Sequence, residues 1–329
     1  MQQPASSDKF STQIGTDLST AIHWLRAGEC VAIPTETVYG LAANALDPAA
    51  VVKIFEVKNR PAFDPLIVHV PELEAAARYA AEFPAPLRAL AERFWPGPLT
   101  LLLPKRAIIP DLVTSGLPRV ALRAPAHPMA QSLLRALPFP LAAPSANPFG
   151  YISPTTAQHV HDQLQGKIPY ILDGGPCTVG VESTIVGFED GQPVVYRLGG
   201  LAVETLEAVA GPVLVRVNQS SNPAAPGMLT MHYAPRKLLI LGDIAANLER
   251  FAEKKIGVLM LYQRRDLPPG VVQQALSATG ELAEAAQNLF AALRTLDQSD
   301  VDLILAEPAP EQGLGRAIND RLRRAAATG

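Results

Sequence analysis

Residues 30–70 read CVAIPTETVYGLAANALDPAAVVKIFEVKNRPAFDPLIVHV, and this stretch decides the fold class. It opens on an apolar run, 30–33, that Pro34 breaks, which predicts a short buried strand. Asp47-Pro48 is a helix start: a capping carboxylate, then a residue whose φ is already set for the first turn. Val51, Ile54 and Phe55 give that helix one apolar face, and it should fray at Lys58 and stop before Pro61. The run 66–70 reads as the next strand. Strand, helix and strand in close succession predict an α/β fold.

The pattern extends both ways. Upstream, Leu18, Ile22 and Leu25 form a stripe that ends at Gly28, a helix with a glycine stop. Downstream, strands are expected at 99–103, 119–123, 140–143, 170–172, 183–188 and 193–198, with helices near 72–80, 85–94, 127–136, 154–164 and 203–210. Behind a polar tail, 1–12, the first domain spans 13–212. Residues 213–237 read as a linker, its centre (218–235, NQSSNPAAPGMLTMHYAP) too irregular for either core. The pattern then restarts over 238–329. Strands at 238–241, 256–261 and 301–305 alternate with a helix from Ile244 and a long amphipathic one. That long helix carries Leu282, Ala286, Leu289, Phe290, Leu293 and Leu296 on one face. The closing helix holds Arg316, Arg321, Arg323 and Arg324, which read as a solvated basic end.

Composition excludes several classes. A 48% hydrophobic, 18% charged chain of 329 residues has ample material for buried cores. A net charge of −3 argues against a protein that coats nucleic acid or anionic membrane. Residues 1–12 lack the apolar core of a secretory signal, and no run reaches the ~20 apolar residues of a membrane helix. Cys30 and Cys177 stand apart from any CxxC or Cys/His cluster and read as free thiols in a reducing compartment. A cytoplasmic location, with no membrane partner, is the expectation.

Standard nucleotide-binding signatures are missing: there is no phosphate-binding GxxxxGK[ST] loop, and Gly313-Leu314-Gly315 lacks the third glycine of a dinucleotide turn. His159 and His161 lie two apart on one helix, face different ways, and read as solvated rather than as a metal pair. Three segments are harder to explain as packing. PTETVYG (34–40) places three polar residues directly after a strand. KNRP (58–61) puts two cations at a helix exit, with His69 following inside an apolar strand. APSANP (143–148) fixes a serine and an asparagine between prolines, as a binding loop at a strand end requires. Arg123 and Arg197 each end an apolar strand run, and with Lys58 and Arg60 they make an anion pocket the reading to test.

These strings, together with VESTIV (181–186) and the linker's PGM…HYAP, occur in one order along nearly the whole chain and resemble the threonylcarbamoyl-AMP synthase family in its long two-domain form. The resemblance implies a twisted open-sheet YrdC-like catalytic domain with a second, smaller Rossmann-like α/β domain. It implies a nucleotidyltransferase that converts L-threonine, bicarbonate or CO2, and ATP into threonylcarbamoyl-AMP and pyrophosphate. That product is the activated intermediate for modifying an adenosine in tRNA, passed to a tRNA threonylcarbamoyl transferase. By resemblance, Thr37, His69, Arg123, the backbone at Ala143, and Ser183 hold threonine. Lys58, Arg60, Ser145 and Asn147 are the catalytic group. Arg60, Asp64, the backbone near Arg119, Ser145, Ser153, Arg197 and Tyr233 border ATP; Asp64 stands where many relatives carry Asn. Leu229, Thr230 and Met231 replace a more polar and basic stretch of the linker.

Such chemistry brings triphosphate, carboxylate, bicarbonate and carbamate into one cavity, where their mutual repulsion must be offset by Lys58, Arg60, Arg123 and Arg197. Mg2+ enters with ATP, and no metal ligand is expected from the protein. Catalysis is then mainly positioning and electrostatics, so Arg60→Ala or Lys58→Ala should cost on the order of 10²–10³ in rate. The linker, carrying His232-Tyr233, is the expected lid over a water-sensitive intermediate. The alternative is an RNA-binding module without chemistry of its own; overall acidity and the lack of aromatic stacking patches count against it.

Overall fold

The computed structural model describes residues 9–217, 232–262 and 266–327. One large sheet contains β1 (Gln13–Gly15), β2 (Val31–Ile33), β3 (Gly40–Asn44), β4 (Ile67–His69), β5 (Leu99–Pro104) and β6 (Arg119–Arg123). It continues with β7 (Leu141–Ala142), β8 (Tyr170–Leu172), β9 (Thr184–Glu189), β10 (Gln192–Arg197) and β11 (Leu214–Val215). Their spatial order is β1-β8-β2-β3-β7-β4-β6-β5-β9-β10-β11. Parallel pairs such as β4–β6 alternate with antiparallel ones such as β3–β7 and β5–β6. The sheet reaches slightly further than the sequence suggests, since Leu214 and Val215 still pair with β10 inside what reads as linker.

The expected helix starts are there for the expected reasons. Asp47 caps the Pro48–Lys58 helix by accepting from the Ala49 amide, and left-handed Asn59 ends it. Val51, Ile54 and Phe55 from that helix bury against the sheet in the largest apolar cluster. The helix read at 72–80 shrinks to Leu73–Ala76, and the one read from 154 starts at Ala157, where Thr156 caps it after Pro154. β3 is an unread strand: Gly40–Asn44 is glycine- and alanine-rich, with weak strand propensity, yet it sits mid-sheet between β2 and β7.

The second sheet, β12 (Leu238–Leu241), β13 (Ile256–Tyr262), β14 (Val272–Ser277) and β15 (Leu303–Ala306), is wholly parallel and runs in the order β12-β15-β13-β14. The last strand inserts between the first two, so the helix-flanked parallel sheet is Rossmann-like while its strand order is its own. β14 was not apparent in the sequence because it is a half-buried edge strand whose Gln273 and Gln274 break the apolar run. Among the described residues, no helix is long and apolar enough to cross a membrane.

The two sheets share a core. Val38, Ile152, Val181 and Tyr233 join Leu289, Phe290, Leu293, Ile318 and Leu322 in one apolar cluster. Gly180 makes the approach possible: its φ is +76°, and a Cβ there would lie 2.3 Å from the Cα and carbonyl oxygen of Gln287 on the Leu282–Gln298 helix. Arg294 of that helix is buried and donates to the carbonyls of Ile152 and Ser153 and to Gln163. Of the closing helix, only Arg316 and Arg323 match the solvated reading, pairing with Glu204 and Glu311. Arg321 and Arg324 are fully buried, because their spacing from Ile318, Leu322 and Ala325 puts them on the packed face.

Candidate functional site

The carboxyl ends of β4 and β6 lie side by side, and their parallel register places His69 directly opposite Arg123. β7 runs antiparallel to β4, so Ala143 lies opposite Ile67 and the following turn approaches the same face of the sheet from the amino end of β4. The PTETVYG loop closes against this turn: Leu41 donates to the Pro144 carbonyl, and Ala146 to that of Tyr39. Gly40 keeps this approach close: a Cβ there would stand 3.3 Å from the Ala143 Cβ, a tight contact. Arg197 ends β10 and folds back to donate Nε and Nη2 to the Ser183 carbonyl, at 3.0 and 2.9 Å. Between these elements opens a narrow cleft whose enclosed free volume is about 50 Å³.

Thr37, Arg60, His69, Arg123, Ala143, Ser145, Ser183, Arg197 and Tyr233 all line this cleft. Thr37 is fixed by its hydroxyl contact with Thr35, 2.8 Å away. Arg60 and Arg123 are held alike. Arg60 donates Nε to the Asp64 carbonyl and pairs through Nη2 with the Asp64 carboxylate at 2.8 Å. Arg123 donates Nε to the Gly97 carbonyl and Nη2 to Glu36 at 2.7 Å. Among the described residues neither Nη1 has an acceptor, so each guanidinium keeps two N–H donors to offer.

His69 is neutral. Burial, then the Arg123 charge, pushes its pKa down to about 3, and its Nδ1 has no partner among the described residues. A buried, uncharged ring nitrogen on a cleft wall is a group awaiting a ligand hydrogen bond. Burial also lowers Arg197, to about 10, and leaves it cationic at neutral pH.

Four expected site residues stand behind the wall instead of on it. Lys58 is buried and donates Nζ to the carbonyls of Ser145 and Asn147, tying down the binding turn. Burial, then Arg60, depresses its pKa strongly. Asn147 spends its amide on the Pro148 and Tyr151 carbonyls. Asp64 is the buried partner of Arg60, and Ser153 donates to Glu182 at 2.6 Å. Arg119, where the backbone is the expected contact, begins β6 four residues before Arg123, and its side chain engages Glu189 and Tyr196.

Sequence reading missed Glu36, which holds Arg123, and Glu182, which lines the cleft. Each is a single carboxylate inside a mainly apolar string, and a buried charge demands a partner; that was the available signal. Glu182 has both oxygens engaged, one by Ser153 and one by Arg321 of the closing helix. His232 and Tyr233, at the described end of the linker, also reach the wall. Tyr233 adopts φ 65°, costly for a bulky residue, with its ring buried against Phe290 and under the Arg321 guanidinium. Residues 218–231, including Leu229, Thr230 and Met231 and most of the expected lid, lie outside the described residues. His159 is half-buried, its ring contacting Thr155, and His161 is half-buried too, so neither is the solvated residue expected.

Comparison with known proteins converges on this architecture. A family model described as "Telomere recombination" (Sua5, YciO and YrdC proteins) matches residues 23–199. A second, described as the threonylcarbamoyl-AMP synthase C-terminal domain, matches 201–327. The threonylcarbamoyl-AMP synthase of Pyrococcus abyssi is 43% identical, covering 93% of this chain and 92% of its own. That of Bacillus subtilis is 40% identical over 97% and 95%. The crystal structure of P. abyssi Sua5 complexed with L-threonine superposes with a TM-score of 0.89 at 42% identity, covering 96% of this chain and 97% of that one.

Proposed function

The chain belongs to the threonylcarbamoyl-AMP synthase family, in its long two-domain form, and from that premise we propose how its cleft performs the reaction. The activity is that of a nucleotidyltransferase making threonylcarbamoyl-AMP. Threonine takes the end of the cleft formed by Thr37, His69, Arg123, the Ala143 backbone and Ser183. The Arg123 Nη1, which has no acceptor among the described residues, suits its carboxylate, and neutral His69 can bond it without adding charge. ATP takes the end bordered by Arg60, Ser145, Arg197 and Tyr233, where Arg60 and Arg197 face the phosphates.

The threonine amine adds to CO2, or to bicarbonate with loss of water, to give a carbamate. A carbamate oxygen then forms a bond to the α-phosphorus as the α–β bridging bond breaks and pyrophosphate leaves. Positioning and fixed cationic donors account for the acceleration. Among the described residues no cluster of three His, Cys, Asp or Glu could hold an ion, and the Glu182 oxygens are already engaged. Mg2+ would enter with the triphosphate, where it would supply charge neutralisation. The product would pass to a tRNA threonylcarbamoyl transferase, in a cytoplasm that keeps Cys30 and Cys177 reduced.

The observation that carries this reading is the convergence of His69, Arg123, Ser183 and Arg197 on one cleft. Incubating the full chain with threonine, bicarbonate and Mg-ATP should yield pyrophosphate and the adenylate, detected by mass. His69→Ala and Arg123→Ala should raise KM for threonine far more than KM for ATP. Equal effects on both, or none, would sink the assignment of the two ends.

A further inference from the structure

The Gly315–Ala326 helix belongs to the second sheet's layer, yet it sends one side chain against the back of two cleft-lining residues, Glu182 and Tyr233. Arg321 is 0% exposed, and each of its three guanidinium nitrogens donates a hydrogen bond. Nε and Nη2 hold one Glu182 oxygen at 3.1 and 3.0 Å, while Nη1 takes the Leu198 carbonyl and Asp320. Its guanidinium carbon also stands 5.3 Å from the centre of the Tyr233 ring. Glu182 in turn fixes Ser153, and it is a cleft-lining carboxylate.

A carboxylate on the wall of a site that gathers polyanions needs explaining, because an unbalanced negative charge there would oppose the triphosphate. We infer that Arg321 is a positioning residue of the nucleotide end of the cleft. Reaching across from the second domain, it neutralises Glu182 and supports Tyr233, which makes that domain part of the active site and not an appended support. The inference rests on the placement of ATP beside Arg197 and Tyr233 argued above. It is sharper than structural bracing, because removing Arg321 alone strands a negative charge, whereas removing both partners does not.

The test measures KM for ATP and kcat in the full chain for Arg321→Met, Glu182→Gln/Arg321→Met and Arg197→Met, with folding checked by thermal melting. Arg321→Met should raise KM for ATP about tenfold or more, the scale of a stranded buried charge. The double variant, in which glutamine still offers Ser153 an acceptor, should return KM to within about threefold of the parent. Arg321→Met with an unchanged KM for ATP overturns the inference, as does a double variant no better than the single one, since lost bracing is not repaired by removing a second contact. If Arg321→Met fails to fold, the double variant decides alone: a KM raised about tenfold refutes, and one near the parent supports. Arg197→Met separates the underlying assignment: were it to leave KM for ATP unchanged, the nucleotide placement itself would fall. A raised KM there with none for Arg321→Met would refute only the role of Arg321.

Discussion

His69 provides the most quantitative test of the site. In the folded chain its imidazole is buried beside Arg123 and titrates near about 3, whereas in the unfolded chain it titrates near its ordinary 6.5. The folded value is the lower one, so as pH falls below 6.5 the unfolded chain takes up a proton the folded chain refuses, and stability drops. Linkage puts the loss at about 0.8 kcal/mol by pH 6 and about 2 kcal/mol by pH 5, relative to pH 7.5. The figure at pH 5 hardly depends on the folded value, provided that stays below about 4, since by then only the unfolded chain is titrating. His69→Gln removes the proton site while keeping a donor and an acceptor. Urea unfolding of both proteins at pH 7.5, 6 and 5 isolates the effect, because every other titrating group cancels in the difference. The stability of the parent relative to the variant should fall by about 2 kcal/mol between pH 7.5 and pH 5. A pH-independent difference would mean that the folded imidazole is charged as readily as the unfolded one, and the neutral-donor role proposed for it in threonine binding would go with it.

Three other perturbations probe the frame. Lys58→Met should lower both the melting temperature and kcat, because the ammonium holds the Ser145 and Asn147 carbonyls; lost activity with an unchanged melting temperature would show that it acts on substrate directly. Asp64→Asn should lower the stability of the free protein yet lower KM for ATP several-fold, since Arg60 then gives less of its charge to an internal partner; a raised KM would refute this. Gly180→Ala should destabilise the chain by about 1–3 kcal/mol through collision with the Gln287 backbone, and a change below about 0.5 kcal/mol in thermal or urea unfolding would show that the two layers yield easily.

Much of this was legible in the sequence where local chemistry and tertiary packing agree. The apolar run at Arg119–Arg123, the helix at Ala85–Phe94 and the Asp47-Pro48 start fall where periodicity and capping put them. β3 and β14 escaped because the signal lay in the environment: one is small residues in mid-sheet, the other polar residues on an edge. The cleft followed the same division. Motif strings picked out Thr37, His69 and Ser183, and a strand-end position Arg123, all of which line the cleft. They could not reveal that Lys58 and Ser153 act from behind the wall, because the contacts that decide it join segments 87 and 29 residues apart. Arg321 was misread for a related reason. Counted as charge, the closing helix looks solvated; counted by phase, Ile318, Arg321, Leu322 and Ala325 share one face.

The pairing of the cleft's cations changes what binding requires. Four bare charges in an apolar setting would destabilise the empty protein through lost hydration, as the burial-lowered pKa values of Lys58, Arg60 and Arg197 indicate. The fold instead gives Arg60 a carboxylate at Asp64, Arg123 one at Glu36, and Lys58 two carbonyls, each attached to one side of the cation. A guanidinium bound this way is pre-aimed, because its plane is set by Nε and Nη2 while Nη1 stays available. Substrate oxygens then complete a donor set that is already rigid, so little side-chain entropy is lost on binding. The same logic reaches Glu182 and Arg321, where the compensating charge crosses from the other domain. Internal counter-charge lets the cleft hold its cations empty, and it also leaves each of them oriented for the anions that arrive.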